Sequence, residues 1–132
     1  MTQARSEYLS STRVERLICL EEAHGFIPEW NFTSKPEADA SALTARYMMQ
    51  ARKFGLSFMV VSQRTAVVSK SALSQCESYV VFRTLDDTSL SYIEGIVGPV
   101  AREVLPSLAR HHALCFGPAF NAERPVVVRL AP

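Results

Sequence analysis

Five short apolar runs punctuate this chain, and polar or charged residues stop the first three abruptly. Val14 to Leu20 ends at Glu21-Glu22, Leu56 to Val61 at Ser62-Gln63-Arg64, and Tyr79 to Phe82 at Arg83. Ala113 to Phe116 and Val126 to Leu130 follow. Runs of this length, apolar at successive positions, read as strands buried on both faces. Helix signals lie between them. Ser34 and Glu37 have capping-box spacing, Pro36 suits a first turn, and Gly55 is a stop, so the spacing predicts a helix over 37–54. Its buried face is expected to carry Leu43, Tyr47, Gln50/Ala51 and Phe54. A helical turn is expected over 71–75. Asp86-Asp87 should cap a helix running to about Ile96, and a further piece should cover 101–105. Strands alternating with helices predict an α/β fold with a mainly parallel sheet flanked by helices. The last two runs are too close for a helix between them and are expected to pair antiparallel at the sheet edge.

With 132 residues, the chain suits one domain, expected over 14–132 behind a polar lead-in at 1–13. No apolar run approaches the roughly 20 residues a membrane span needs, and the polar N-terminus does not resemble a secretory signal. A net charge of +1 supplies no global field for nucleic acid. The three cysteines, Cys19, Cys76 and Cys115, are widely spaced, which excludes a disulfide framework and a Cys-only zinc site. Cys19 and Cys115 read as small buried hydrophobes. A reducing, cytoplasmic location is the simplest expectation.

In an open parallel sheet, ligands bind beyond the carboxyl ends of the strands. Those ends carry Glu21-Glu22, then Ser62-Gln63-Arg64, then Arg83-Thr84. Acids facing an amide and guanidinium groups on one edge suit a metal–nucleotide site. Successive residues at a strand end point to opposite sides, so Glu21 and Glu22 should do different jobs. One can reach a metal ion through water while the other orients a water that attacks phosphate. A pair of solvated loop acids fits the same residues. His24 could hydrogen-bond these acids, but a structural role fits it better, and His111-His112 reads as surface.

The stretch Leu17-Ile-Cys-Leu-Glu-Glu-Ala-His24-Gly-Phe-Ile-Pro28 resembles the Walker B segment of the HerA/FtsK group of P-loop ATPases. Ala51-Arg-Lys-Phe-Gly-Leu-Ser57, Val60-Val-Ser-Gln-Arg64, Leu73-Ser-Gln-Cys76 and Leu105-Pro-Ser-Leu108 follow in the order that group shows. The resemblance covers about residues 14–130 and implies part of a RecA-like P-loop core. It implies that Glu21 holds Mg²⁺ through water, that Glu22 is the catalytic glutamate, and that Gln63 is the sensor. It also implies that Arg52 is an arginine finger acting on a neighbouring subunit, with Arg46 and then Arg64 as alternatives. The implied cofactors are ATP and Mg²⁺. The implied partners are double-stranded DNA, further copies in a hexameric ring, and a nuclease. A solvated helix-end cation fits Arg52 equally.

A P-loop needs Gly-x-x-x-x-Gly-Lys-[Ser/Thr] to wrap phosphates in backbone amides. The five glycines are 25, 55, 95, 98 and 117, and none of Lys35, Lys53 and Lys70 follows one. The Walker A unit is absent from this sequence, so the chain is expected to be inactive by itself. It reads as the Walker B to C-terminal half of a motor domain, cut from a longer protein or a short frame descended from one. Two alternatives are a non-catalytic interaction module and part of a conjugation or secretion coupling ATPase.

Overall fold

The computed structural model describes residues 15–32 and 34–131. The expected lead-in at 1–13, and Val14, lie outside them. Contacts divide the chain into one unit ending at Gln75 and another beginning at Cys76.

In the first unit, β1 (Arg16–Leu20) and β2 (Leu56–Val60) form a parallel pair in register from Arg16↔Leu56 to Leu20↔Val60. Helix α1 (Lys35–Ala51) connects them and runs on into a 3-10 turn at Arg52–Phe54. Its start follows the capping-box reading: Ser34 N donates to Glu37 Oε2 at 2.9 Å. Gly55 ends it in the left-handed region, at φ 67°.

The buried face of α1 differs from the expected one. Ser41, Ala45, Met48 and Ala51 are buried, whereas Leu43 and Tyr47 are exposed. Ala51 is common to both sets. The small side chains at 41, 45 and 51 let the helix backbone approach the sheet, which a ridge of Leu43 and Tyr47 would hold away. Ala45 and Met48 join Ala23, Ile27, Val68 and Ala72 in one core, with Leu20, Phe58 and Val60 packed on it.

The two strands are not buried on both faces. Leu17, Met59 and Val61 are exposed, and so is Cys19, contrary to its reading as a buried hydrophobe. A parallel pair normally has both faces covered. Here the core side is filled and the other face presents apolar side chains. Short helix α2 (Lys70–Leu73) closes the unit, with Ser69 Oγ accepting from Ala72 N at 3.4 Å.

In the second unit, β3 (Tyr79–Val81), β4 (His112–Phe116) and β5 (Val126–Arg129) form a sheet in the order β3-β4-β5. Both pairings are antiparallel, including the expected pairing of the last two strands. The described strands are therefore mixed rather than mainly parallel. Helices α3 (Asp87–Val97) and α4 (Val100–Val104) supply Leu90, Ile93 and Ala101 to a core with Leu105, Leu108 and Leu114. Asp86 caps α3 as expected, Oδ2 accepting from Ser89 N at 2.8 Å. Cys115 is buried, in agreement with its reading.

Candidate nucleotide-hydrolysis edge

The parallel pair fixes which residues share an edge. Register ends at Leu20↔Val60, so Glu21-Glu22 and Ser62-Gln63 leave the ladder side by side. The backbone keeps them there: Val61 N donates to Leu20 O, and Ala23 N to Val61 O, both at 2.9 Å. Glu21, Glu22 and Gln63 are all exposed at this edge.

Glu22 has an unusual backbone. It lies in the left-handed region at φ 49°, ψ 51°, immediately before a 3-10 turn over Ala23–Gly25. An L-residue there loses about 1–2 kcal/mol relative to its ordinary conformations. The turn is bolted down on its far side. Ala23 O accepts from Phe26 N at 3.0 Å and Ile27 N at 2.8 Å, and Ala23 and Ile27 are fully buried. The strain is thus over-determined by its surroundings, a condition characteristic of functional positions. His24 Nδ1 lies 3.4 Å from Glu22 Oε2.

The segments that follow the two strands are zipped together. Glu29 N donates to Val67 O and Ser69 N to Ile27 O, each at 2.8 Å, around a bridge between Pro28 and Val68. Glu29 Oε2 accepts from Lys70 N at 2.8 Å, at the start of α2. Ser41 Oγ donates to Pro28 O at 3.0 Å, which ties α1 to the same loop. Sequence reasoning missed Glu29. Its partner lies 41 residues away, and nothing local distinguishes it from a solvated loop acid.

Arg52 is exposed but does not join this edge. It stands one turn before Gly55, whose carbonyl accepts from Arg16 N at 2.9 Å at the opposite end of the ladder. Five strand residues at ~3.3 Å each separate the two ends by roughly 16 Å. Arg46, also exposed, lies six residues earlier on α1, about 9 Å nearer the acidic edge at ~1.5 Å per residue. Arg64 is exposed beside Gln63 and precedes a 3-10 turn over Thr65–Val67.

Carboxylate oxygens suit Mg²⁺, which keeps several waters and takes few protein ligands. Among the described residues no three His, Cys, Asp or Glu side chains cluster as a metal cage. The exposed acids fit contact with such an ion through water, not a closed site.

The chain is 27% identical over 133 residues to a DNA double-strand break repair helicase HerA from Pyrococcus furiosus, covering 98% of this chain and 23% of that protein. The chain is thus similar to part of HerA-type helicases. A probable helicase from Methanocaldococcus jannaschii is 26% identical over 113 residues, covering 83% of this chain and 21% of that one. The chain spans about a quarter of the length of these curated relatives. No family model matches it. Among solved structures, the fold is shared with the genome packaging NTPase B204 of Sulfolobus turreted icosahedral virus 2. In complex with ATP-gammaS, that protein aligns with a TM-score of 0.65 at 17% identity, covering 87% of this chain and 52% of its own. Its complex with AMP aligns at 0.67 and covers 98% of this chain. Among the described residues no helix is long and apolar enough to cross a membrane.

Proposed function

We propose that the edge carrying Glu21, Glu22 and Gln63 is the hydrolytic edge of a HerA-like ATPase that moves or unwinds double-stranded DNA. The observation that carries this reading is the left-handed backbone of Glu22, held by buried neighbours at the mouth of a parallel strand pair. Residues 14–132 are then one part of an ATPase domain whose phosphate loop lies outside this sequence. Hydrolysis is in-line attack of water on the γ-phosphorus of ATP, which breaks the bond to the β–γ bridging oxygen and releases ADP and phosphate. Glu22 orients that water and accepts its proton on a carboxylate oxygen. Gln63, beyond the neighbouring strand, holds the water or a γ-phosphate oxygen through its amide. Glu21 would hold Mg²⁺ through water, and the ion, when bound, would neutralise charge on the phosphates.

Arg52 fits a finger that serves a neighbouring subunit, because it stands at the far end of the ladder from Glu22 in its own chain. A homo-oligomeric ring, hexameric in the HerA-like group, supplies such a neighbour. A nuclease partner and a cytoplasmic location belong to the same reading. Mixing tests it in the complete ATPase. Arg52→Ala subunits and Glu22→Gln subunits, each inactive alone, should regain part of the activity when combined, since each interface draws one residue from each neighbour. Mixed rings that form yet stay inactive would contradict the trans role and move the assignment to Arg46 or Arg64.

A further inference from the structure

His24 is a residue that neither the strand pairing nor the core requires. Its ring is about one-third exposed, yet its Nδ1 is enclosed and has no hydrogen-bond partner among the described residues. Enclosed ring nitrogens without a partner are rare and call for an explanation. The group facing this nitrogen is Glu22 Oε2 at 3.4 Å, on a side chain that is half exposed and can move. The backbone at both residues is fixed. Gly25 N donates to Glu22 O at 2.8 Å, and the turn between is pinned by the fully buried Ala23 and Ile27. A small rotation of the Glu22 side chain therefore closes the contact without moving the main chain.

We propose that His24 is the positioning residue of Glu22: its neutral ring, protonated on Nδ1, donates to Glu22 Oε2 and leaves Oε1 to face the attacking water. This rests on the reading of Glu22 as the hydrolytic carboxylate. The arrangement explains two features together. The left-handed backbone aims the Glu22 side chain out of the ladder, and the histidine two residues on fixes which of its oxygens is free. An orienting partner of this kind supports the reacting group without touching substrate.

The direct test is the tautomer of His24, read from ring nitrogen and carbon shifts in the labelled full chain. The Nδ1–H form should dominate in the wild type and give way to Nε2–H in Glu22→Ala. An Nε2–H ring in the wild type, or a tautomer indifferent to Glu22→Ala, overturns the proposal. Turnover in the complete ATPase gives a second test. His24→Gln should lower kcat on the order of 10-fold with KM unchanged. His24→Asn, whose amide nitrogen stands about where Nδ1 stands, should recover most of that loss. If Glu22→Gln abolishes hydrolysis while His24→Gln matches the wild type, His24 has no positioning role and the reading of Glu22 stands. If Glu22→Gln turns over normally, that reading falls, and the role of His24 with it.

Discussion

From Cys76 onward, a network of polar side chains is matched. Arg102 donates to Asp87 Oδ1 at 2.7 Å, Glu94 Oε2 at 2.8 Å and Ser91 Oγ at 2.8 Å, which ties α3 to α4. Ser78 Oγ accepts from Ala119 N at 3.1 Å. Tyr79 stacks on Phe116 with centroids 4.7 Å apart. Burial, followed by neighbouring Tyr92, pushes its phenol well above the usual range. In the unit ending at Gln75, Glu22 is strained, an enclosed nitrogen of His24 has no hydrogen-bond partner among the described residues, and the outer face of the strand pair exposes Leu17 and Met59. One region is settled as a scaffold. The other holds unresolved contacts at the strand end where chemistry would occur, which is where local rules are expected to be broken.

The largest effect should come from the scaffold side. Gly117 has φ 104°, and a Cβ there would collide with Glu77 O and lie 2.6 Å from Ser78 Cα. Both obstacles are backbone, so Gly117→Ala should lose at least ~3 kcal/mol of stability in urea melts. A loss within about 0.5 kcal/mol would show this region to be less settled than the comparison holds. Next, Ile27→Ala should lose about 2–5 kcal/mol through a cavity in the first core. It should weaken hydrogen-exchange protection around the Glu22 turn, because Ile27 N and O both anchor that loop. Unchanged protection there would mean that the strain at Glu22 is not held by the core.

Glu22→Gly sharpens the contrast by reversing the sign. Glycine adopts the left-handed region freely, so stability should rise by roughly 0.5–1 kcal/mol, net of glycine's larger entropy loss. A fall would mean that Glu22 makes folded-state contacts worth more than its strain. The smallest effect concerns Asp86. Hydrogen bonds from Ser89 hold its carboxyl below the usual range. Its contribution is therefore present above the ordinary Asp value and lost as pH falls through the depressed one. Asp86→Ala should flatten that acid limb of the thermal melt, and Asp86→Asn should keep the cap while also removing the pH dependence.

Much of the fold was legible because its signals are local. The helix over Lys35–Ala51 follows Ser34, Pro36, Glu37 and Gly55, and α3 follows Asp86. The edge carrying Glu21, Glu22 and Gln63 was legible too, because apolar runs ending in polar residues mark strand ends. The buried face of α1 was not. Periodicity ranks Leu43 and Tyr47 above Ser41 and Ala45, but close packing selected the small residues. Cys19 was misread because strand burial depends on what covers each face, which no local pattern encodes. Glu29, the backbone of Glu22 and the enclosed nitrogen of His24 depend on contacts made only in the folded unit.

On the proposed reading, Glu22 is held in a strained backbone so that its carboxylate can drive hydrolysis. Glu22→Gln in the complete ATPase tests it most directly, because the swap keeps size and removes the charge that orients water. Steady-state phosphate release should fall by at least about 100-fold, the lower end for a general base. Mg-ATP binding, measured by calorimetry on the same sample, should stay within about twofold, less than 0.5 kcal/mol. Phosphate release at the wild-type rate with binding intact would mean that Glu22 is not the hydrolytic carboxylate.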